Sequence, residues 1–236
     1  MQTMIFSTRE GVGIEGSLDK LHVIDIICTL QKEVAALPAP AIDQIIAEFG
    51  KKPFLILICC LLSLRAKDSA TIPAARQLFE QARTPEDLVS IPLHTLEKLF
   101  YSIGFYRHKA QIVRFVSYDL LVRFKGKVPQ TEQELLSIKG IGRKTANAVL
   151  GYAFDIPSLC VDTHVHKIAN RLGWVMTKTP EQTERALKNL IPSHYWIDLN
   201  RLLVTWGQYL CTPISPFCSR CAIAHFCPKI GVKRSR

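Results

Sequence analysis

Apolar residues recur at helical spacing along almost the whole chain, and no stretch alternates convincingly with period two. Ile112, Phe115, Val116 and Leu120 follow the i, i+3, i+4, i+8 pattern of an amphipathic helix, and Leu93, Leu96, Phe100 and Ile103 nearly repeat it. Helix starts are marked as well. Thr84-Pro85-Glu86-Asp87 places proline at the first helical position behind an N-cap. Thr131 with Glu134, and Thr179 with Gln182, have the spacing of capping boxes. The segment Pro53–Leu64 is apolar almost all round and reads as a buried central helix rather than a strand. With no long-period repeat, low-complexity tract or Gly/Ser linker, the expected class is all-α with short connections.

At 236 residues and 48% hydrophobic, the chain can bury a real core in one large domain or two small ones, and disorder is excluded. The longest apolar run, Phe54 to Leu62, spans nine residues. A bilayer span needs about 18, so no membrane association is expected. Met1–Leu18 lacks the apolar centre of a signal peptide, which points to the cytoplasm. The net charge of +10 suits a polyanionic partner.

Eight cysteines in a reducing compartment are not expected to pair. Cys28, Cys59, Cys60 and Cys160 lie in apolar stretches and read as small buried hydrophobes. Cys211, Cys218, Cys221 and Cys227 are different, crowded as C-x6-C-x2-C-x5-C on a segment that Pro213 and Pro216 keep out of helix. Four thiolates on such a loop can wrap one tetrahedral centre, either Zn(II) or an iron–sulfur cluster. Zinc ribbons pair two C-x2-C knuckles, whereas here there is one, Cys218 to Cys221. The asymmetry favours the cluster.

The densest chemical signal is Ile138-Lys139-Gly140-Ile141-Gly142-Arg143-Lys144-Thr145-Ala146. A capped helix runs into Gly140-Ile141-Gly142 and a second helix starts at once. Two glycines permit a tight turn and close backbone approach, and Ile141 between them can plug into the hairpin's own core. Amides opening the second helix form a ready phosphate site. Ala146, Val149, Leu150 and Ala153 give that helix its buried stripe, with Lys144, Asn147 and Gly151 opposite. Arg143 and Lys144 occupy a first turn where the helix dipole disfavours cations. An anion docking there would explain both. Residues 101–150 hold nine Lys/Arg against three Asp/Glu, so the basic charge gathers around the hairpin. Without a preceding strand, the glycines match neither a dinucleotide fingerprint nor a P-loop.

The hairpin run, then Val161-Asp162-Thr163-His164, then the four spaced cysteines, resemble endonuclease III, the helix-hairpin-helix DNA glycosylases and apurinic-site lyases of base excision repair. The resemblance extends from about Ile26 to Cys227. It implies a two-lobed all-α fold: a six-helix barrel over about residues 46–156, with the hairpin at about 132–153, and a discontinuous lobe from residues 1–45 and 157–236. It also implies a [4Fe–4S] cluster on Cys211, Cys218, Cys221 and Cys227, and a monomer that grips duplex DNA containing damaged bases or abasic sites between the lobes. Met1–Lys20 has no counterpart and is expected to be disordered.

The family's lysine nucleophile falls on Lys144 and its aspartate on Asp162. An amine attacks only when neutral, a state that a helix N-terminus and a neighbouring cation favour. Asp162 would stabilise positive charge developing on the sugar, or, read from sequence alone, would cap the helix carrying Val165, Ile168, Ala169 and Leu172. Gly140, Ile141, Gly142 and Arg143 would hold the DNA backbone. A target base must leave the stack, and the family fills the gap with inserted side chains. Phe105 stands where the family often has leucine; otherwise it is a core residue of the next helix. Arg65 stands in Ser-Leu-Arg, where the family commonly reads Ser-Ala-Gln. The Cys211–Cys218 gap lacks the family's basic residues, which shifts the expected phosphate contacts to the hairpin or to the basic tail Lys229–Arg236. The implied activity is removal of oxidised pyrimidines by a bifunctional glycosylase and lyase. Rivals are a monofunctional mismatch glycosylase, which would lack lysine at position 144, and a non-catalytic DNA-binding iron–sulfur protein.

Overall fold

A computed structural model describes residues 20–236, so the expectation of disorder for Met1–Lys20 lies almost wholly outside the described residues. Twelve helices follow in chain order: α1 (Lys20–Val34), α2 (Ala41–Phe49), α3 (Pro53–Ser63), α4 (Asp68–Gln81), α5 (Pro85–Ser90), α6 (Leu93–Leu99), α7 (Tyr106–Phe124), α8 (Glu132–Leu136), α9 (Arg143–Phe154), α10 (Thr163–Arg171), α11 (Pro180–Leu190) and α12 (Trp196–Tyr209). There is no strand among the described residues, and no described helix is long and apolar enough to cross a membrane.

Two separate cores organise these helices. The first spans α2 to α9 and centres on α3, where Leu55, Ile56, Leu57, Ile58, Cys59 and Leu62 are fully enclosed by α2, α4, α7 and α9. Enclosing each such aliphatic side chain contributes about 1.5–3 kcal/mol. The second core joins α1 (Val23, Ile26, Ile27, Leu30) to α10, α11 and α12. The expected lobe boundary at residue 46 falls inside α2, whose Ala41 and Ile45 already belong to the first core. The segment expected to hold six helices holds α3 to α9 and the end of α2, with α5 and α8 very short.

The cap signals translate directly. Thr84 and Asp87 form a reciprocal capping box at α5, and Thr131 and Thr179 accept from the amides of Glu134 and Gln182. Two expectations fail. On α7 the buried set is Lys109, Ala110, Val113, Val116, Ser117 and Leu120, while Phe115 is 42% exposed. The helix turns a face slightly offset from the most apolar one toward α5 and α6. Cys28 is exposed on α1, because the buried face there is taken by Ile26, Ile27 and Leu30.

The sidedness expected of α9 is also incomplete. Ala146, Val149, Leu150 and Ala153 do pack into the first core, but Asn147 and Gly151 are buried too. Asn147 Nδ2 donates to the Leu159 carbonyl at 3.1 Å, and its own carbonyl accepts from Ser158 Oγ at 2.6 Å. A Cβ on Gly151 would lie 3.3 Å from Ile197. α9 is therefore a wall shared by both lobes.

Other bonds cross the same boundary. Asp68 accepts from Gln208 Nε2 at 3.0 Å, and Tyr152 meets Asn200 at 3.2 Å. Asp43 on α2 faces Arg201 and Asp198 on α12, and its Oδ2 has no hydrogen-bond partner. Burial pushes the Asp43 pKa up to about 6, with Asp198 adding and Arg201 opposing. A raised carboxylate pKa in the folded state costs nothing at pH values where both states are protonated. The cost appears as pH rises through roughly 4 to 6 and is complete at neutrality. Asp43→Asn should therefore stabilise the protein by about 1–2 kcal/mol at pH 7.5. The gain should vanish near pH 4 in thermal melts, and an equal gain at both pH values would contradict it.

Candidate active site

The α8–α9 hairpin is built as its glycines require. Gly140 has φ +99, and a Cβ there would lie 3.0 Å from Ile112 Cγ2, so the position needs glycine for both conformation and space. Ile141 donates its amide to the Ile138 carbonyl at 3.0 Å and buries its side chain in the first core. Gly142 caps α9 with nothing near its missing Cβ, leaving the turn open to an approaching backbone.

Lys144, in the first turn of α9, opens into an interlobe cleft of about 660 Å³ that also receives Arg65, Lys67, Asp162, His164 and Gln208. Its Nζ lies 4.0 Å from Asp162 Oδ2. The other carboxylate oxygen, Oδ1, accepts from the amides of His164 and Val165, each at 2.9 Å. The helix-cap and charge readings of Asp162 thus apply to different oxygens of one carboxylate. The cap fixes the ring of atoms that presents Oδ2 to the lysine. His164 lies flat on α12, where a Cβ on Gly207 would come within 2.2 Å of its Nδ1.

Arg143 pairs with an internal carboxylate on α11. Its Nε donates to Glu184 Oε2 at 2.9 Å and its Nη2 to Oε1 at 3.1 Å, with Glu132 at 3.7 Å. The hydrogen bond to Glu184 is the main cause raising the arginine's pKa. Burial works against the Glu184 carboxylate, but Arg143 and Lys188 more than offset it and hold its pKa below the usual range. The cation disfavoured by the α9 dipole is thus explained by an internal partner on α11, and it is a compensated charge beside Lys144. Sequence spacing gave no sign of this, since the partners are 41 residues apart.

Arg65 and Phe105 sit on two turns at the mouth of the first lobe. Arg65 follows α3 with φ +52, and Phe105 opens α7 with φ +60. Phe105 is 64% exposed rather than part of the core. The turns touch, since a Cβ on Gly104 would lie 3.6 Å from the Arg65 carbonyl oxygen.

Cys211, Cys218, Cys221 and Cys227 line one pocket with Ile168, Leu172, Trp206 and Ile223. Among the described residues no group of three His, Cys, Asp or Glu side chains is placed to hold a single metal ion. Burial pushes the thiols of Cys211, Cys221 and Cys227 upward, so four thiolates here need a compensating cation. Sequence reasoning missed Arg171, a buried arginine at the end of α10. Its Nη1 lies 3.2 Å from Cys211 Sγ, and its guanidinium donates to the carbonyls of Cys211, Thr212 and Pro213. The basic tail is not simply free for phosphate. Arg236 lies 3.9 Å over the Phe217 ring and donates to the Ser215 carbonyl, bracing the loop between the first two cysteines.

Residues 58–193 match the family model of the HhH-GPD superfamily of base excision DNA repair proteins. Endonuclease III of Thermotoga maritima is 45% identical over 74% of this chain and 82% of its own length. The chain belongs to the endonuclease III family. Endonuclease III of Bacillus subtilis is 34% identical over 78% of this chain and 84% of its own. The solved structure of a non-covalent endonuclease III–DNA complex superposes with TM-score 0.78 at 31% identity, covering 90% of this chain and 96% of that one. The chain is accordingly a base excision repair enzyme, a DNA N-glycosylase and abasic-site lyase with the helix-hairpin-helix glycosylase fold.

Proposed function

We propose that this member of the family excises oxidised pyrimidines from duplex DNA through an imine on Lys144. The placement of the Lys144 amine 4.0 Å from the Asp162 carboxylate, in an open cleft, carries this reading. The neutral amine attacks C1′ of the flipped nucleotide, and the base departs with the electrons of the glycosidic bond and takes up a proton. Opening of the sugar ring leaves an imine between Nζ and C1′. The imine acidifies the C2′ proton; its removal forms a C2′–C3′ double bond as the 3′ phosphate leaves with the C3′–O electrons. Asp162 balances positive charge on the sugar as the base departs and passes protons between lysine and sugar oxygen. The lysine also separates this chain from a monofunctional glycosylase, which needs no amine at that place, and from a plain DNA-binding module.

Duplex DNA runs over the hairpin, where the amides of Gly140 and Gly142 and the N-terminus of α9 donate to a phosphate. Phe105 and Arg65 enter the gap left by the flipped base, Phe105 by stacking and Arg65 by donating to the orphaned partner base. Arg143 holds the hairpin through Glu184 and does not touch DNA directly. Cys211, Cys218, Cys221 and Cys227 hold a [4Fe–4S] cluster. The pocket shared by the four cysteines and the buried Arg171 beside the Cys211 sulfur support this reading. When bound, the cluster supplies iron–thiolate bonds that cross-link the C-terminal loop. Stoichiometric zinc in colourless protein would overturn this assignment. We place the enzyme on chromosomal DNA in a bacterial or archaeal cytoplasm, as a monomer.

The test is chemical trapping. With borohydride present, duplexes carrying thymine glycol or an abasic site should each become covalently joined to the protein. Trapping by abasic sites alone would remove the oxidised-pyrimidine assignment, and none with either would remove the imine mechanism. Affinity for the duplex should also fall steeply between about 50 and 200 mM salt, because each neutralised phosphate releases counterions. A flat response would contradict the basic hairpin as the docking surface.

A further inference from the structure

Lys109, in the first turn of α7, is 5% exposed and has no acidic partner among the described residues. A lysine seldom tolerates such burial unpaired. Its Nζ makes one hydrogen bond, donated to the Leu62 carbonyl at 2.6 Å, at the C-terminal end of α3. Burial alone pushes its pKa down to about 8. A methionine would fill this space without that cost, so the ammonium calls for an explanation beyond packing.

Its position supplies one. The Leu62 carbonyl is three residues before Arg65, and the Lys109 amide donates to the Phe105 carbonyl at 3.0 Å. Lys109 therefore links the two turns that carry Arg65 and Phe105. Both residues occupy left-handed conformations, at φ +52 and +60, which cost a side-chain-bearing residue about 1 kcal/mol or more each. Such conformations persist only where the surroundings impose them. No side chain caps the start of α7, and at the end of α3 the Ser63 hydroxyl donates to the Cys59 carbonyl while the Lys109 ammonium donates to that of Leu62. The end of α3 carries the negative pole of its dipole; the Leu61 and Ser63 carbonyls accept from the Leu64 and Ala66 amides, and the buried ammonium takes the Leu62 carbonyl between them.

We propose that Lys109 is a positioning residue for base extrusion: it locks the Arg65 and Phe105 turns together so that both side chains enter the duplex as one wedge. The inference rests on the reading of Arg65 and Phe105 as gap-filling residues. Lys109 itself touches neither DNA nor the reacting sugar.

The wedge matters most where a stacked base must be displaced and least where no base is present. In Lys109→Met, single-turnover excision of thymine glycol should fall roughly tenfold to hundredfold, as expected for a misplaced substrate-positioning group. Cleavage of a preformed abasic site should change by less than about twofold. A 2-aminopurine beside the lesion should lose most of its fluorescence rise on binding. Lys109→Arg, which keeps a buried donor, should recover a large part of both signals. A purely structural lysine would instead lower both reactions together in proportion to folded protein, and that result would overturn the proposal. Lys109→Met with an unchanged ratio of excision to abasic cleavage would overturn it as well. Phe105→Ala and Arg65→Ala are run alongside. If they reduce the fluorescence rise while Lys109→Met does not, the inference about Lys109 fails. If they too leave the rise intact, the wedge reading fails, and the inference falls with it.

Discussion

Replacing Lys144 with alanine is expected to abolish the borohydride-trapped adduct and to lower strand cleavage by on the order of 10⁴–10⁶-fold, the scale seen when a covalent nucleophile is removed. The effect should fall on chemistry rather than fold. Lys144 is 47% exposed, makes no side-chain hydrogen bond within the described residues, and sits where the α9 dipole slightly favours its removal. Melting temperature should therefore hold or rise. Duplex affinity should drop only modestly, because the hairpin amides and the other basic residues remain. A covalent adduct that persists in the variant would move the nucleophile to another amine, and Lys67 in the same cleft would be the first to check.

The second large effect separates the two duties of Asp162. Asparagine caps helices about as well as aspartate, so Asp162→Asn should keep the bonds from His164 and Val165 and change stability by less than about 0.5 kcal/mol. It removes the negative charge facing Lys144. Excision and trapping should then fall by about 10²–10⁴-fold with the fold intact, the range for a lost acid–base or electrostatic partner. Asp162→Ala should add a stability loss of about 1 kcal/mol from the missing cap. Equal activity in Asp162→Asn and the wild type would reduce Asp162 to a capping residue, which is all its local sequence demands.

Local chemistry was legible where one segment determines it. Thr84, Thr131 and Thr179 marked helix starts because a cap and its amide lie within three residues. The apolar run at α3 read as a buried helix rather than a strand, and Gly140-Ile141-Gly142 marked the hairpin because glycines permit the tight left-handed turn it needs. The two-core layout was implied by likeness to a family. What was not legible depends on partners far apart in sequence. The Glu184 partner of Arg143 was invisible because it lies on another helix, 41 residues on. Asn147 and Gly151 looked solvent-facing because the lobe covering them comes later in the chain. Phe115 and Cys28 looked buried because hydropathy cannot say which of two apolar flanks a helix turns inward. Lys109 and Arg171 were not singled out at all, since nothing in a sequence marks a buried carbonyl that lies in wait for a donor.

The discontinuous second core also bears on how the protein is made. Residues 41–154 form their core without outside help and can close as soon as they leave the ribosome. α1 emerges earlier, yet its apolar face of Val23, Ile26, Ile27 and Leu30 finds its partners only on α10 to α12. At ordinary synthesis rates that face waits on the order of ten seconds. During that interval the nascent chain presents an unpaired amphipathic helix. It is the point at which a slow or truncated translation product would aggregate.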